Sequence, residues 1–205
     1  EKTIEKEFAV FVKQDSRGPW LVRDMIARDA ETDGLNGFTV LEDARGVDTF
    51  VIGSSTYAIV ASYGDNGVQI IDISDPTAIV ALDAETDSVT FPELGGAMDV
   101  DTFTIGSSTY AIVASFSDSG VQLIDISNPA VIVARDSHDD GDTPVSIKCK
   151  ELQAANGVDT FTIDSGTYAI VAAFVDDGVQ LIDISDPAVI DCTGQKTDEG
   201  TRELD

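Results

Sequence analysis

The sequence predicts an all-β fold, a β-propeller-like array of four-stranded antiparallel blades with three full repeats and a partial N-terminal one. The first observation behind this prediction is a ten-residue string that occurs three times, with offsets of 53 and 58 residues: GVQIIDISDP at 67–76, GVQLIDISNP at 120–129 and GVQLIDISDP at 178–187. Such a period is typical of repeat architectures. The second observation is that short segments rich in β-branched and aromatic residues surround each copy, as in strands.

The second repeat shows the expected order of strands within one blade. VDTFTIG alternates partly, as a half-buried strand does, and TYAIVAS is an apolar run too short for a helix. A turn ending in glycine follows, and the Asn128-Pro129 pair ends the third segment because proline cannot donate to a strand ladder. We expect up-and-down strands at 100–106, 109–115, 121–127 and 130–136.

The sequence divides into four parts that we expect to form one domain. They are an irregular N-terminal segment with a partial blade at 1–45, a first repeat at 46–99, a second repeat with an acidic loop at 100–157, and a third repeat with a C-terminal tail at 158–205. Propellers typically close with four to eight blades. Three alternatives therefore stay open: a compact four-bladed ring, completion by another copy, and a piece of a larger propeller.

The string GVQIIDISDP resembles the motif of the LVIVD repeat family, Gly-Leu-x-Ile-Val-Asp-Val-Ser-(Asp/Asn)-Pro. The three copies extend this resemblance over roughly residues 46–190. The resemblance implies a β-propeller fold and a secreted or surface protein of bacteria or archaea. It implies no catalytic residues.

The charge is strongly negative, with 38 acidic and 12 basic residues and a net charge of −26. Nucleic acid is therefore not an expected partner, because phosphate binding needs a basic surface. No apolar run reaches the roughly 18–20 residues that span a membrane. Seven of the basic residues lie within 1–45, so this segment is suited to docking on the acidic body of its own or a neighbouring copy.

Acidic residues at alternate positions after each fourth strand form a candidate calcium site. Carboxylates at positions 1, 3 and 5 of a short loop supply the oxygen ligands that calcium prefers. The third copy has His138 in its middle position. The candidate ligands are Asp29, Glu31 and Asp33, then Asp83, Glu85 and Asp87, then Asp136 and Asp140.

Two further sets of residues are predicted to have structural roles. Three aspartates lie inside otherwise apolar strands, where we expect them to bind the backbone near Ser74, Ser127 and Ser185, with a ligand site in a central channel as the alternative: Asp72, Asp125 and Asp183. Recurring tyrosines are expected to pack between blades, with sugar stacking as the alternative: Tyr57, Tyr110 and Tyr168. The two cysteines, Cys149 and Cys192, are expected to form a disulfide if the protein is secreted.

These observations favour a non-catalytic, extracellular or cell-surface protein with a structural or adhesive role. We expect its partners to be copies of itself arranged head to tail, or a surface glycan or protein, and calcium to be its one expected cofactor. Head-to-tail completion of a strand or blade would produce a fibre. The alternative is a closed ring that binds glycan or protein, and a third hypothesis is a hydrolase that uses carboxylates.

Overall fold

The computed structural model describes residues 27–140, 149–192 and 195–196. All of the regular elements in these ranges are β-strands, and they form three separate antiparallel sheets that do not close into a ring. The predicted partial N-terminal blade falls mostly on residues 1–26, which lie outside the described residues. Among the described residues, no helix is long and apolar enough to cross a membrane.

Each sheet is one blade, and its strands follow one another in chain order. Blade 1 contains β1 (Ala44–Ile52), β2 (Ser55–Ser62), β3 (Gly67–Asp72) and β4 (Val80–Thr86). Blade 2 contains β5 (Ala97–Ile105), β6 (Ser108–Ser115), β7 (Gly120–Asp125) and β8 (Val133–Asp139). Blade 3 contains β9 (Ala155–Ile163), β10 (Gly166–Ala173), β11 (Gly178–Asp186), β12 (Val189–Asp191) and β13 (Gln195–Lys196), and both β12 and β13 pair with β11.

The fourth strand of blade 2 begins three residues later than the sequence predicts. Residues 130–132 belong to a turn instead, in which Asn128 accepts hydrogen bonds from Ala130 N–H through its side chain and from Val131 N–H through its carbonyl. An asparagine side chain that closes such a local turn competes with the strand ladder. The turn frees Ile132 to pack into the core, where it is buried.

A glycine opens the third strand because the fourth strand passes very close to it. A Cβ at Gly120 would lie 2.6 Å from the carbonyl oxygen of His138, and one at Gly67 would lie 2.3 Å from that of Glu85. Only a residue without a side chain fits at these positions. The glycine of the GVQ segment is thus explained by the packing of the blade in blades 1 and 2.

The core lies between the blades rather than inside any one of them. One hydrophobic cluster joins blade 1 to blade 2, and a second joins blade 2 to blade 3. The first strands of successive blades also contact one another, β1 with β5 and β5 with β9. Each blade therefore has two apolar faces, a forward face toward the next blade and a backward face toward the preceding one.

Candidate functional site: the blade junctions and an open face

The forward face of a blade is built from the same positions in every repeat. In blade 2, Ile112, Val121 and Leu123 are fully buried against blade 3. They meet a backward face that includes Val171 and Ile182 of blade 3. The junction between blades 1 and 2 repeats this arrangement with Ile59, Val68 and Ile70 on the forward face.

A hydrogen-bonded pair, which we call the axial clasp, joins the first strands of successive blades. Oδ2 of Asp48 accepts hydrogen bonds from both the N–H (2.9 Å) and the hydroxyl of Thr102. In the next junction, Oδ2 of Asp101 accepts from the N–H (2.7 Å) and the hydroxyl (2.5 Å) of Thr160. The aspartate and the threonine are adjacent residues of the VDTF segment, so each repeat can carry one half of the clasp for each neighbour.

A second repeated hydrogen bond, which we call the outer clasp, joins a blade to the segment that precedes it along the chain, and in two of the three copies this segment is the fourth strand of the preceding blade. Its acceptors are the first residues of the three candidate calcium motifs. Oδ2 of the aspartate accepts from a backbone N–H at 2.8, 2.7 and 2.7 Å in the pairs Asp29 with Ile79, Asp83 with Ile132, and Asp136 with Ile190. Asp83 and Asp136 therefore hold neighbouring blades together, and Asp29 holds the segment before β1 to blade 1.

Two of the candidate calcium motifs lie largely in strands, so the predicted acidic loops are wrong there. Asp83 and Glu85 are on β4, and Asp136 is on β8 together with His138. Alternate residues of a strand point to one side at a spacing of about 7 Å, which spreads them along the sheet rather than around an ion. Burial raises the pKa of Glu85, and the neighbouring Asp83 carboxylate raises it further.

The other candidate ligands have their own contacts. Glu31 accepts from the side chain of Asn36 at 2.8 Å, and Asp33 accepts from Leu41 N–H at 3.1 Å. Asp87 and Asp140 lie just past the fourth strands, where their N–H groups donate to backbone carbonyls. Within 27–140 and 149–192, no three or more histidine, cysteine or acidic side chains are grouped so as to hold a metal. Calcium binding stays a prediction.

The three aspartates inside the third strands bind the turns that follow them. Oδ1 accepts from the serine N–H two residues later, in the pairs Asp72 with Ser74 (2.8 Å), Asp125 with Ser127 (2.8 Å) and Asp183 with Ser185 (2.9 Å). Each serine hydroxyl is in turn bonded to a threonine at the start of the second strand. These contacts fix the end of each blade where the ten-residue string stops.

The recurring tyrosines stack within their own blades rather than across a junction. Each one lies over the phenylalanine of the VDTF segment on the adjacent strand, with ring centroids 5.4, 5.7 and 5.8 Å apart in the pairs Tyr57 with Phe50, Tyr110 with Phe103 and Tyr168 with Phe161. Tyr110 also belongs to the core between blades 2 and 3. The pairs therefore support the forward face from within each blade.

Cys149 and Cys192 are joined in a disulfide, with their Cα atoms 5.2 Å apart. In the other two repeats, the position nine residues before the valine of VDTF is a buried phenylalanine, Phe38 or Phe91. Cys149 occupies that position in blade 3, and Cys192 occupies the place of Ala81 in blade 1. The disulfide therefore takes the place of a buried phenylalanine, which we call the plug, in the segment before the first strand of the blade.

The forward face of blade 3 is the open face of the described array. Ile170 is 40% exposed, whereas Ile59 and Ile112 at the matching positions are fully buried. Val179 is 42% exposed, whereas Val68 and Val121 are again fully buried. Ile163 is exposed as well. Blade 3 therefore presents to solvent an apolar surface that the other two blades use as core.

An aromatic row that was not among the residues predicted from the sequence crosses the three blades just after their second strands. Tyr63 and Phe116 have ring centroids 6.3 Å apart, and Phe116 and Phe174 are 6.5 Å apart. The guanidinium of Arg45 lies 5.6 Å from the Tyr63 ring. Phe174, at the open end of the row, is 66% exposed. The signal was available, because these residues occupy one position of the repeat.

Carboxylates in the turns between the second and third strands lie close to other carboxylates at the same end of the blades. Burial raises the pKa of Asp118, and the negative charges of Asp87 and Asp139 raise it further. At the next junction, burial together with the charge of Asp176 raises the pKa of both Asp140 and Glu151. The carboxylates at this end of the blades therefore bind protons at a higher pH than they do in the unfolded chain.

The described residues form an array of propeller-like blades, in which recurring carboxylates accept hydrogen bonds from backbone N–H groups. A family model described as "LVIVD repeat" matches it at residues 51–82, 106–139 and 164–195. The chain therefore carries three LVIVD repeats, and each match falls on one blade. No curated protein shows significant similarity to it.

Several solved structures are similar in fold. A functionally unknown protein from Desulfotomaculum acetoxidans matches with a TM-score of 0.51 and 17% identity over 74% of this chain and 42% of that one. A GH32 β-fructofuranosidase of Bombyx mori matches with a TM-score of 0.51 and 9% identity over 76% of this chain and 35% of that one. A bifunctional GH43-CE protein of Bacteroides eggerthii matches with a TM-score of 0.52 and 11% identity over 77% of this chain and 20% of that one. The chain spans less than half of each, and at these identities the likeness shows the fold alone.

Proposed function

We propose that this protein is a non-catalytic structural or adhesive repeat protein that acts outside the cell or at its surface and assembles into fibres. The observation that carries the proposal is the open forward face of blade 3, whose matching faces in blades 1 and 2 are buried. An open array of repeats has apolar ends that must be capped or paired. A contact between unlike faces of identical copies continues indefinitely when it does not close.

Two further features support this role and this location. The Cys149–Cys192 disulfide is of a kind that persists in oxidising compartments such as the cell exterior. The recurring aspartates of the axial and outer clasps accept backbone hydrogen bonds, which is a structural task. A structural role uses each of these features without requiring a reaction.

Electron microscopy of the purified protein tests the proposal. We expect long regular fibres that form without any added ligand. Discrete discs about 4–5 nm across, the size given by a ring of four-stranded blades at ordinary sheet spacings, would contradict it. Such discs would direct attention to ligands on the faces of a closed ring.

A second candidate function, glycan binding, is favoured by the aromatic row of Tyr63, Phe116 and Phe174. Flat aromatic rings stack against the C–H faces of sugars, and each blade contributes one ring to the row. Saturable binding of a neutral polysaccharide that Phe174→Ala weakens, while the similarly exposed Val189→Ala does not, would support this candidate. Equal binding by the two variants would contradict it.

A further inference from the structure

We propose that the open forward face of blade 3 binds residues 1–26 of a second copy of this chain, which we call the leading segment. This inference rests on the proposed fibre-forming function and names the two surfaces that meet. The leading segment lies outside the described residues. Its sequence, its place in the chain and its charge each suit it to this face.

The open face requires an occupant with an extended apolar run. In the junction between blades 2 and 3, the forward face of blade 2 shares its hydrophobic cluster with alternate residues of one strand, Ala169 and Val171 of β10. Ile170 and Val179 form the same kind of face on blade 3 but are 40% and 42% exposed. An occupant must therefore offer alternate apolar side chains, as a strand of this repeat does.

The leading segment contains such a run. FAVFV at 8–12 follows the pattern of YAIVA, the core of the second strand in each blade. The other ranges outside the described residues contain no run of even three hydrophobic residues: 141–148, 193–194 and 197–205. Of the parts of the chain whose structure is not described, only the leading segment can therefore cover an apolar face.

The run in the leading segment is apolar on both sides, as in a strand that lies between two sheets. In the alignment with YAIVA, Val10 takes the place of Ile112, which packs toward the next blade. Phe11 takes the place of Val113, which packs toward the preceding blade. Among the described residues no blade precedes blade 1, so the side that carries Phe11 needs an apolar face from elsewhere.

The place of the leading segment in the chain favours a contact between copies. Asp29 accepts from Ile79 N–H at 2.8 Å, so the segment joins the array at its blade 1 end. The backward face of blade 1 is already covered within its own chain, since Ala58 is 6% and Ile71 is 7% exposed. A copy that docks by this end therefore presents its leading segment. Blade 3 lies at the other end of an array that does not close, so a second copy supplies the segment.

Charge also favours the leading segment over another blade. Residues 149–192 of blade 3 contain eight acidic residues and one basic residue, so two such blades from different copies would repel one another. The leading segment has five acidic and five basic residues, and the rest of the chain carries the whole net charge of −26. Its basic side chains can pair with the acidic rim of blade 3. They are Lys2, Lys6, Lys13, Arg17 and Arg23.

Sedimentation velocity over a concentration series tests the contact with three full-length variants. Ile170→Asp places a charge on the open face, and Phe11→Asp places one on the matching side of the leading segment. Val133→Asp is the control, because its exposure is 43% against 40% for Ile170. We expect each of the first two to weaken association by about tenfold to a hundredfold, as the loss of one buried apolar side chain predicts. Val133→Asp should associate like the wild type.

Mixing the two weakened variants tests whether their surfaces meet. Ile170→Asp keeps an unchanged leading segment, and Phe11→Asp keeps an unchanged face, so one native contact can form between them. We expect a one-to-one heterodimer at concentrations where each variant alone is monomeric. The double variant Phe11→Asp/Ile170→Asp offers neither surface and should pair with neither. Phe11→Ala is a milder change at the same position, and it should pair with Ile170→Asp in the same way.

Each other result overturns the inference. Association that Ile170→Asp weakens and both Phe11 variants leave unchanged would keep the fibre and give the face another occupant. Two weakened variants that do not pair when mixed would show that these surfaces do not meet between copies. Association that is unchanged in every variant would keep the proposed function and remove this contact from it. A wild type that stays monomeric at every concentration would remove both the contact and the fibre.

Discussion

Blades 2 and 3 carry almost the same residues on their forward faces, yet one face is core and the other is surface. Ile112 and Val121 are fully buried, whereas Ile170 and Val179 are exposed to 40% and 42%. Nothing in the local sequence distinguishes them, because YAIVA and GVQLIDIS occur in both repeats. The comparison teaches that a repeat specifies an interface, and that the neighbour decides whether this interface becomes core.

The largest effect should separate the two matching isoleucines. Ile112→Asp buries an unpaired charge and should lower the free energy of unfolding by more than about 4 kcal/mol. Ile170→Asp in a dissociated monomer should lower it by less than about 1 kcal/mol, because the side chain is already partly in water. Urea denaturation at low protein concentration measures both values. Equal losses would show that the two faces are equally buried.

The disulfide should contribute nearly as much as a core residue. It closes a loop of 43 residues, and cross-linking a loop of that size stabilises by about 4 kcal/mol in the chain-entropy model. Cys149→Ser/Cys192→Ser should lose most of this stabilisation. Cys149→Phe/Cys192→Ala, which restores the residues of blade 1, should recover part of it. Urea midpoints of the two double variants measure this difference. Identical midpoints would contradict the claim that a phenylalanine at this position stabilises the blade.

The axial clasp should contribute to stability only where both the aspartate and the threonine are present. Asp101→Ala removes a half-buried acceptor and leaves two donors of Thr160 without it, so we expect a loss of about 1–3 kcal/mol. Asp159→Ala in the monomer should change stability by less than about 0.5 kcal/mol. Thermal melts of both variants compare the two positions. A large loss for Asp159→Ala would mean that this aspartate already has a partner within its own chain.

A smaller effect should appear with pH. The folded-state pKa values of Asp118, Asp140 and Glu151 are raised, mainly by burial. The folded protein therefore binds protons before the unfolded chain does, and its stability should rise as pH falls from 7 toward the ordinary carboxyl pKa of about 4. Asp125 contributes in the opposite direction, because hydrogen bonds from Arg135 and Ser127 lower its pKa against the effect of burial, and this stabilisation is lost at still lower pH.

Urea midpoints at pH 7 and pH 5 measure the rise in stability. Asp118→Asn/Asp140→Asn should reduce it, because the asparagines do not titrate. A matched control is Asp43→Asn/Asp164→Asn, which changes two turn residues outside this group. A rise that is the same in both double variants would assign the effect to the overall negative charge.

The sequence predicted the blades well because their signal is repeated three times. It placed the first three strands of blade 2 within a few residues, since alternation and glycine turns mark them locally. It misplaced the fourth strand, because the turn at Asn128 depends on a side-chain oxygen that accepts a hydrogen bond from the backbone N–H of Ala130. That shift also moved the acidic motifs from predicted loops into strands.

The clasps and the open face could not be predicted from one repeat. Asp83 and Ile132 are far apart in the chain and meet only when two blades stack, so no local pattern reveals their hydrogen bond. The exposure of Ile170 likewise depends on a neighbour rather than on its own segment. The aromatic row and the plug position of Phe38, Phe91 and Cys149 were visible as recurring positions, but their role needed the geometry.

The most direct test of the account is the rate of thiol labelling of an Ile170→Cys variant across a range of protein concentrations. The native cysteines are joined in a disulfide and do not compete for the reagent. The account predicts fast labelling in dilute solution and strong protection when the protein is concentrated enough to assemble. Labelling at one unchanged rate over the whole range would contradict the claim that another copy covers this face.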